Sequence, residues 1–295
     1  YLSLFKMEHK AKLLVLLVIA TFQFAAINAQ ESFSIRSAKF VTPLLQKWVE
    51  EYSKSYPQAD IQIAGSKEKD ADVSISIFDE TANRSAYTVG RYAILPITGK
   101  NSSFIADLKN KRLNGKRLKE LYFEADFFDE EDEPDQESKY NATVYAGNHQ
   151  QSVTIAFAGH FGYETKALKG KKIAGDDIYL NSAIQKDRSG VSFNNLNYIF
   201  DLQSRRLKDE IALLPLDLKK EYAEILAESN LDKTIELLEK KKIDLIPVEE
   251  LTVEITGQNN TGIQQFLQWV CTKGQAYNHE FGFLKTTGND NLALH

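Results

Sequence analysis

Hydrophobic and polar positions change period repeatedly along the chain. Alternation of apolar and polar residues predicts short strands over 61–64, with Ile61 and Ile63 on one face, and over 72–77, with Val73, Ile75 and Ile77 on one face. Denser apolar stretches bounded by turn residues predict further strands over 92–97 and 142–145. Apolar residues recurring every three to four positions predict helices over 43–55, 102–110, 116–123, 152–163, 194–202, 231–242 and 262–278. In the first of these, Leu44, Leu45, Trp48, Val49 and Tyr52 share one face, which therefore packs inward. Strands alternating with helices point to an α/β architecture whose sheet is covered on both faces. The chain beyond residue 29 exceeds a typical single domain, so two lobes are expected.

The first thirty residues follow another pattern. A basic head, Met7-Glu8-His9-Lys10-Ala11-Lys12, precedes an almost unbroken apolar run from Leu13 to Ala26. This is the layout of a secretory signal peptide, with cleavage expected ahead of Gln30 and export as the consequence. The six residues before Met7 read as an extension of the translation start and are set aside from the fold. A membrane anchor is the alternative, but the apolar run is shorter than the roughly 20 residues a span requires.

Composition narrows the class. Of 295 residues, 43% are hydrophobic and 26% charged, a balance that supports a full-sized core rather than disorder. Cleavage removes three lysines and one glutamate, taking the formal charge from -5 to -7, so no general affinity for nucleic acid or anionic lipid is expected. Cys271 is the only cysteine, which excludes an internal disulfide and a thiolate metal site. An exported protein without disulfides fits a bacterial periplasm, and its position in the apolar run Phe266–Val270 predicts a buried, structural thiol. The acidic run from Glu124 to Asp135 lacks the ligand spacing and central glycine of an EF-hand loop and reads as a solvated surface loop. His149 and His160 stand eleven residues apart with no further ligand at metal spacing, so neither a metal nor any cofactor is expected. No Gly-x-Ser-x-Gly elbow and no His-Glu-x-x-His motif appears, which leaves a hydrolytic enzyme without support.

The stretch Ser37-Ala38-Lys39-Phe40-Val41-Thr42-Pro43 carries the first candidate chemistry. Thr42 followed by Pro43 reads as a hydroxyl N-cap and a proline at the first helical position. The first turn would then aim backbone N–H groups at the loop, where an anion is favoured and Lys39 adds a full charge. A solvated lysine beside a helix cap is the plainer alternative.

This stretch, continued to Ser66, resembles the first ligand loop, first helix and second strand of the phosphate-type ABC-transporter substrate-binding proteins, with Lys39-Phe40 where that family has a Thr-Phe pair. Further segments are similar in the same order: Asp72–Ser76, Ile94–Ile97, Leu113–Phe123, and Phe266–Val270 with Gly274-Gln275 and Phe281–Leu284. Together they span about residues 33–286. The resemblance implies a two-lobed, periplasmic-binding-protein-like α/β fold of type II with a ligand cleft between lobes, residues 30–97 and 248–295 forming one lobe and 98–247 the other. It implies a solute-binding protein that binds a small anion or polar solute, delivers it to an inner-membrane ABC permease from the periplasm and acts as a monomer. Phosphate or another small oxyanion is the ligand it suggests.

The resemblance also implies site residues. These are Ser37, Ala38, Lys39 and Phe40 in the first loop, Ser66, Ser76, and the helix start Gln151, Ser152, Val153 and Thr154. Two family features are missing: Gly147 stands where an arginine is expected, and Ile77 where an acid is expected. Losing both while gaining Lys39 abandons the fork that clasps a tetrahedral oxyanion from two sides. A second loop, Asp187–Ser192, carries similar arginine, serine and glycine chemistry, with a helix-capping turn at Ser189 as the alternative. The other functional class is an interaction or envelope-sensing protein that keeps the fold without a small ligand.

Overall fold

The computed structural model describes residues 32–65, 70–77, 87–108, 111–124, 140–258 and 260–287. The segment 1–29, where a signal peptide is expected, Ser66 and nearly all of the acidic run lie outside these residues. The first half runs β1 (Ser32–Ser37), α1 (Thr42–Ser55), β2 (Asp60–Ile63), β3 (Val73–Ile77), β4 (Tyr87–Gly99), α2 (Ser103–Asp107), α3 (Gly115–Tyr122), β5 (Thr143–Gly147) and α4 (Val153–His160). There follow β6 (Lys171–Ile173), α5 (Ile178–Lys186), β7 (Gly190–Asn195), α6 (Leu196–Ile199), β8 (Phe200–Asp201), β9 (Arg206–Leu207), β10 (Ile211–Leu213), α7 (Lys220–Ala227), α8 (Leu231–Lys240), β11 (Val248–Ile255) and α9 (Thr261–Cys271). Among the described residues, no helix is long and apolar enough to cross a membrane.

The main sheet follows the order β2-β1-β3-β11-β4-β7-β5-β6, with β10 also on β4. β4 is the strand both halves share. Its residues 87–93 pair antiparallel with β11, and from Ile94 onward it pairs antiparallel with β7. Pro96 lies within this second half; it has no N–H to give, and its carbonyl accepts the Leu214 N–H at 3.0 Å.

Helix starts follow the polar side chains. Ser152, Asn114, Asn230 and Asn260 each hold extended backbone and accept an N–H from the first turn of α4, α3, α8 and α9 respectively. α4 is anchored by aromatic packing: Phe157 stacks on Phe193 of β7 at 3.8 Å, and Tyr122 meets both rings edge-on. In the other half, the indole N–H of buried Trp48 donates to the Gly274 carbonyl at 3.0 Å, fixing α1 against the C-terminal turns.

Three expectations from the sequence need correction. Thr42 does not cap α1; the preceding Val41 has helical backbone, no side chain caps the helix, and the Thr42 hydroxyl turns back to the Ala38 carbonyl at 3.3 Å. The helix expected over 194–202 is the end of β7, one turn of α6 and the start of β8, and the loop at 187–192 leads into a strand rather than a helix. Buried Asn194 explains the misreading. Its amide donates to the Asp177 carbonyl and to Asn181 Oδ1, so a polar residue sits in a buried strand and masks the alternation. Finally, the segment 262–278 is not one helix but α9 followed by a 3-10 turn over Lys273–Tyr277.

Candidate functional site

The first loop folds on itself. Val41 and Thr42 donate their N–H groups to the Ala38 carbonyl at 2.9 and 3.2 Å, and Thr42 also reaches the Lys39 carbonyl. Those donors are therefore spent within the turn, which weakens the α1 start as an anion seat. Ser37 is buried with its hydroxyl 3.1 Å from that of Thr42. Phe40 is a core residue: its ring packs on Tyr92, Tyr198 and Phe283 at 5.3, 6.2 and 5.8 Å. Its carbonyl accepts the Asn197 amide at 2.7 Å, which fastens the loop to α6. Ala38 is buried as well, so of the four loop candidates Lys39 alone is exposed.

Ser66 lies outside the described residues. Ser76 is half-buried on β3. Register pairs Arg36 with Ser74 and Ser37 with Ile75, and side chains alternate along strands. Ser76 thus projects with Ser74 and Arg36, on the opposite face from Ser37. The strand separates these two candidates instead of bringing them together.

The second loop and the α4 start form a tight polar cluster. Ser152, Val153 and Thr154 are buried, and Gln151 is half-buried beside them. Thr154 Oγ1 accepts the Gly147 N–H at 2.8 Å, and Ser152 Oγ accepts the Thr154 N–H at 3.1 Å. The group seated on this cluster is a carboxylate of the chain itself. Asp177 Oδ1 accepts from the Ser152 hydroxyl at 2.7 Å, and Oδ2 accepts from the Val153 N–H at 2.9 Å. Asp177 is only 3% exposed. Paired hydrogen bonds and the positive end of the α4 dipole offset the cost of burying its charge.

Neighbouring groups extend the cluster toward the first loop. Asp176 spends Oδ1 on the Ile178 N–H at 3.1 Å, at the start of α5, and its Oδ2 lies 3.7 Å from Lys39 Nζ. Burial, followed by a hydrogen bond to Asp176, holds the Tyr198 phenol far above its ordinary range. His149 Nε2 stands 3.3 Å from Asp177 Oδ1, an ion-pair distance without hydrogen-bond alignment. The Asp177 carboxylate raises the imidazole against an opposing effect of burial. The Tyr92 hydroxyl is fully buried with no partner among the described residues, and burial raises its phenol, with Glu249 and Asp177 adding to the shift. At the far end of α4, His160 Nε2 contacts the Asp244 carbonyl at 2.8 Å and Nδ1 lies 3.7 Å from Glu249.

Sequence reasoning missed Asp177. Gly175-Asp176-Asp177 ahead of an apolar helix reads as that helix's own cap, and Asp176 plays that part. Gly147 offered the other signal. A Cβ there would lie 2.5 Å from Asp177 Oδ1 and would also collide with the Ser152 hydroxyl, so any side chain at the position where an arginine was expected competes with the carboxylate for space. The loop at 187–190 serves structure: Asp187 accepts from the Ser189 N–H and hydroxyl and from the Tyr145 hydroxyl, all within 2.9 Å.

No protein-family model matches this chain, and no curated protein matches it. Solved structures do. A candidate phosphate ABC transporter substrate-binding protein from Clostridium perfringens, with bound phosphate, superposes at a TM-score of 0.58 over 87% of this chain and 100% of its own, with 16% identity. An ABC-type phosphate transport receptor from Vibrio cholerae superposes at 0.57 over 87% of this chain and 100% of its own, with 11% identity. The chain has the two-lobed α/β fold of these binding proteins.

Proposed function

We propose that this chain is the exported binding component of an ABC-type uptake system, taking a small oxyanion or related polar solute between the first loop and the α4 start. The observation that carries this reading is the carboxylate on Ser152 and Val153, because it marks the α4 start as a seat for a negatively charged oxygen group. Lys39, exposed in the first loop and 3.7 Å from Asp176, the neighbour of Asp177 in the chain, supplies a positive charge to this region. In this reading the lobes divide as 30–97 with 248–295 and 98–247, and the chain crosses between them within β4, whose partner changes from β11 to β7 between Ala93 and Ile94. The protein acts by binding and release rather than by chemistry, as a monomer in the periplasm that presents its solute to a membrane permease.

A thermal-melt screen with phosphate, sulfate, molybdate and small carboxylates tests it. A true ligand at a hundred times its dissociation constant adds about 2.7 kcal/mol to stability. A flat response to every oxyanion counts against the reading. One observation favours a second reading, a fold kept for interaction with a partner and no small ligand: the seat is already filled by Asp177. Retention of a partner on a permease-free envelope extract, with a flat melt screen, is the outcome expected of it.

A further inference from the structure

Asp177 stands in an unusual position for a residue that opens a helix. It makes no capping hydrogen bond to its own helix α5, and Asp176 fills that need through the Ile178 N–H. Its carboxylate is directed instead to α4, 24 residues earlier, where both oxygens are engaged. The backbone supports this aim, since the Asn194 amide holds the Asp177 carbonyl at 2.8 Å from β7. Gly147 leaves the room that the carboxylate occupies. The Tyr92 hydroxyl is a buried polar group without a partner among the described residues, and the Asp177 carboxylate contributes to raising its phenol.

We propose that Asp177 is a tethered ligand: its carboxylate holds the oxyanion seat of α4 and sets the specificity of the cleft by competing with free anions for Ser152 and Val153. The inference rests on the reading of this seat as the solute site. A tethered group acts at an effective concentration in the millimolar range or above, so a free oxyanion of similar intrinsic affinity must reach comparable levels to displace it. The competitor also sets shape. A planar carboxylate fills two donors, and a tetrahedral oxyanion that replaced it would carry further oxygens for which Lys39, the cation paired with Asp176, is a candidate partner.

Calorimetry and thermal melts with inorganic phosphate, on wild type, Asp177→Ala, Asp177→Asn and Asp177→Ala/Lys39→Ala, test the proposal. Phosphate should bind Asp177→Ala at least about 10-fold more tightly than wild type, and the added Lys39→Ala should remove much of that gain. Equal phosphate affinity in wild type and Asp177→Ala overturns the tethered-ligand inference while leaving the oxyanion reading in place. Binding by neither protein overturns both. Formate provides a further arm: if formate restores the stability of Asp177→Ala, phosphate does not, and Lys39→Ala changes nothing, then Asp177 is a plain structural cap of α4 and the inference is wrong. Should Asp177→Ala fail to fold, Asp177→Asn decides, because it keeps the shape and removes the charge. Tighter phosphate binding than wild type supports the inference, and equal binding overturns it.

Discussion

Lys39 Nζ lies 3.7 Å from Asp176 Oδ2, so the loop that follows β1 is tied to the turn that precedes α5 by one ion pair. The lysine side chain is 58% exposed and the aspartate 15%, an arrangement in which solvent screens most of the attraction. Lys39→Ala should therefore change the unliganded stability by less than about 1 kcal/mol. Under the proposed function it should also weaken the stabilisation given by an oxyanion. Chemical denaturation with and without phosphate separates the two effects. A large loss without ligand would show that the pair holds the fold rather than the solute.

Gly147 provides the steric counterpart. A methyl group at this position meets Asp177 Oδ1 at 2.5 Å and the Ser152 hydroxyl, both of them buried. Gly147→Ala should cost roughly 1–3 kcal/mol in urea denaturation, the usual range for overpacking a filled site. In an Asp177→Ala background the cost should shrink, since one of the two obstacles is gone and contacting residues do not add independently. An undiminished cost in the double variant would place the clash on Ser152 alone.

How much of this was legible in the chain differs by element. The α1 and α4 helices were readable because proline and serine mark their starts, and Leu44, Leu45, Trp48 and Tyr52 mark the buried face of α1. β7 was not, because Ser192, Asn194 and Asn195 are polar residues buried in a strand: Ser192 donates to the Tyr145 carbonyl and Asn194 to the Asp177 carbonyl, both distant in sequence, while Asn195 Oδ1 accepts the Tyr198 N–H at the start of α6. The site divides the same way. Ser152 as a helix start could be read locally, while the carboxylate on it could not, since two adjacent acids before α5 carry one signature and perform two tasks. Phe40, a candidate of the first loop, has its ring packed among three aromatic rings. The apolar member of the Lys39-Phe40 pair turns inward and the charged one outward, as their solvation dictates.

Cys271 should be nearly inert in the native state. It is 5% exposed at the end of α9, its thiol 3.6 Å from the Thr88 carbonyl, and burial pushes it up to about 11. Only the thiolate attacks, so labelling by a maleimide at neutral pH should be slow in buffer and complete in denaturant. Rapid stoichiometric labelling of the folded protein would mean that α9 opens far more readily than its packing implies.

Two histidines flank α4, and both titrate upward from an ordinary value of 6.5 in the folded chain. For His149 the main cause is Asp177, opposed by burial and assisted by Asp176, with Lys39 acting against it. For His160 the main cause is Glu249, again opposed by burial, with the Asp244 carbonyl and carboxylate assisting. A raised folded value means that the native state holds the proton more tightly than the unfolded chain. Both contributions are therefore complete below the ordinary histidine value and are lost as pH rises through the raised values. The melting temperature should fall as pH rises above the ordinary histidine value at constant ionic strength, since native ion pairs to Asp177 and Glu249 weaken as the imidazoles lose charge. His149→Gln and His160→Gln should each flatten part of that slope, and the double variant most of it. A slope that survives in the double variant would place the titrating group elsewhere.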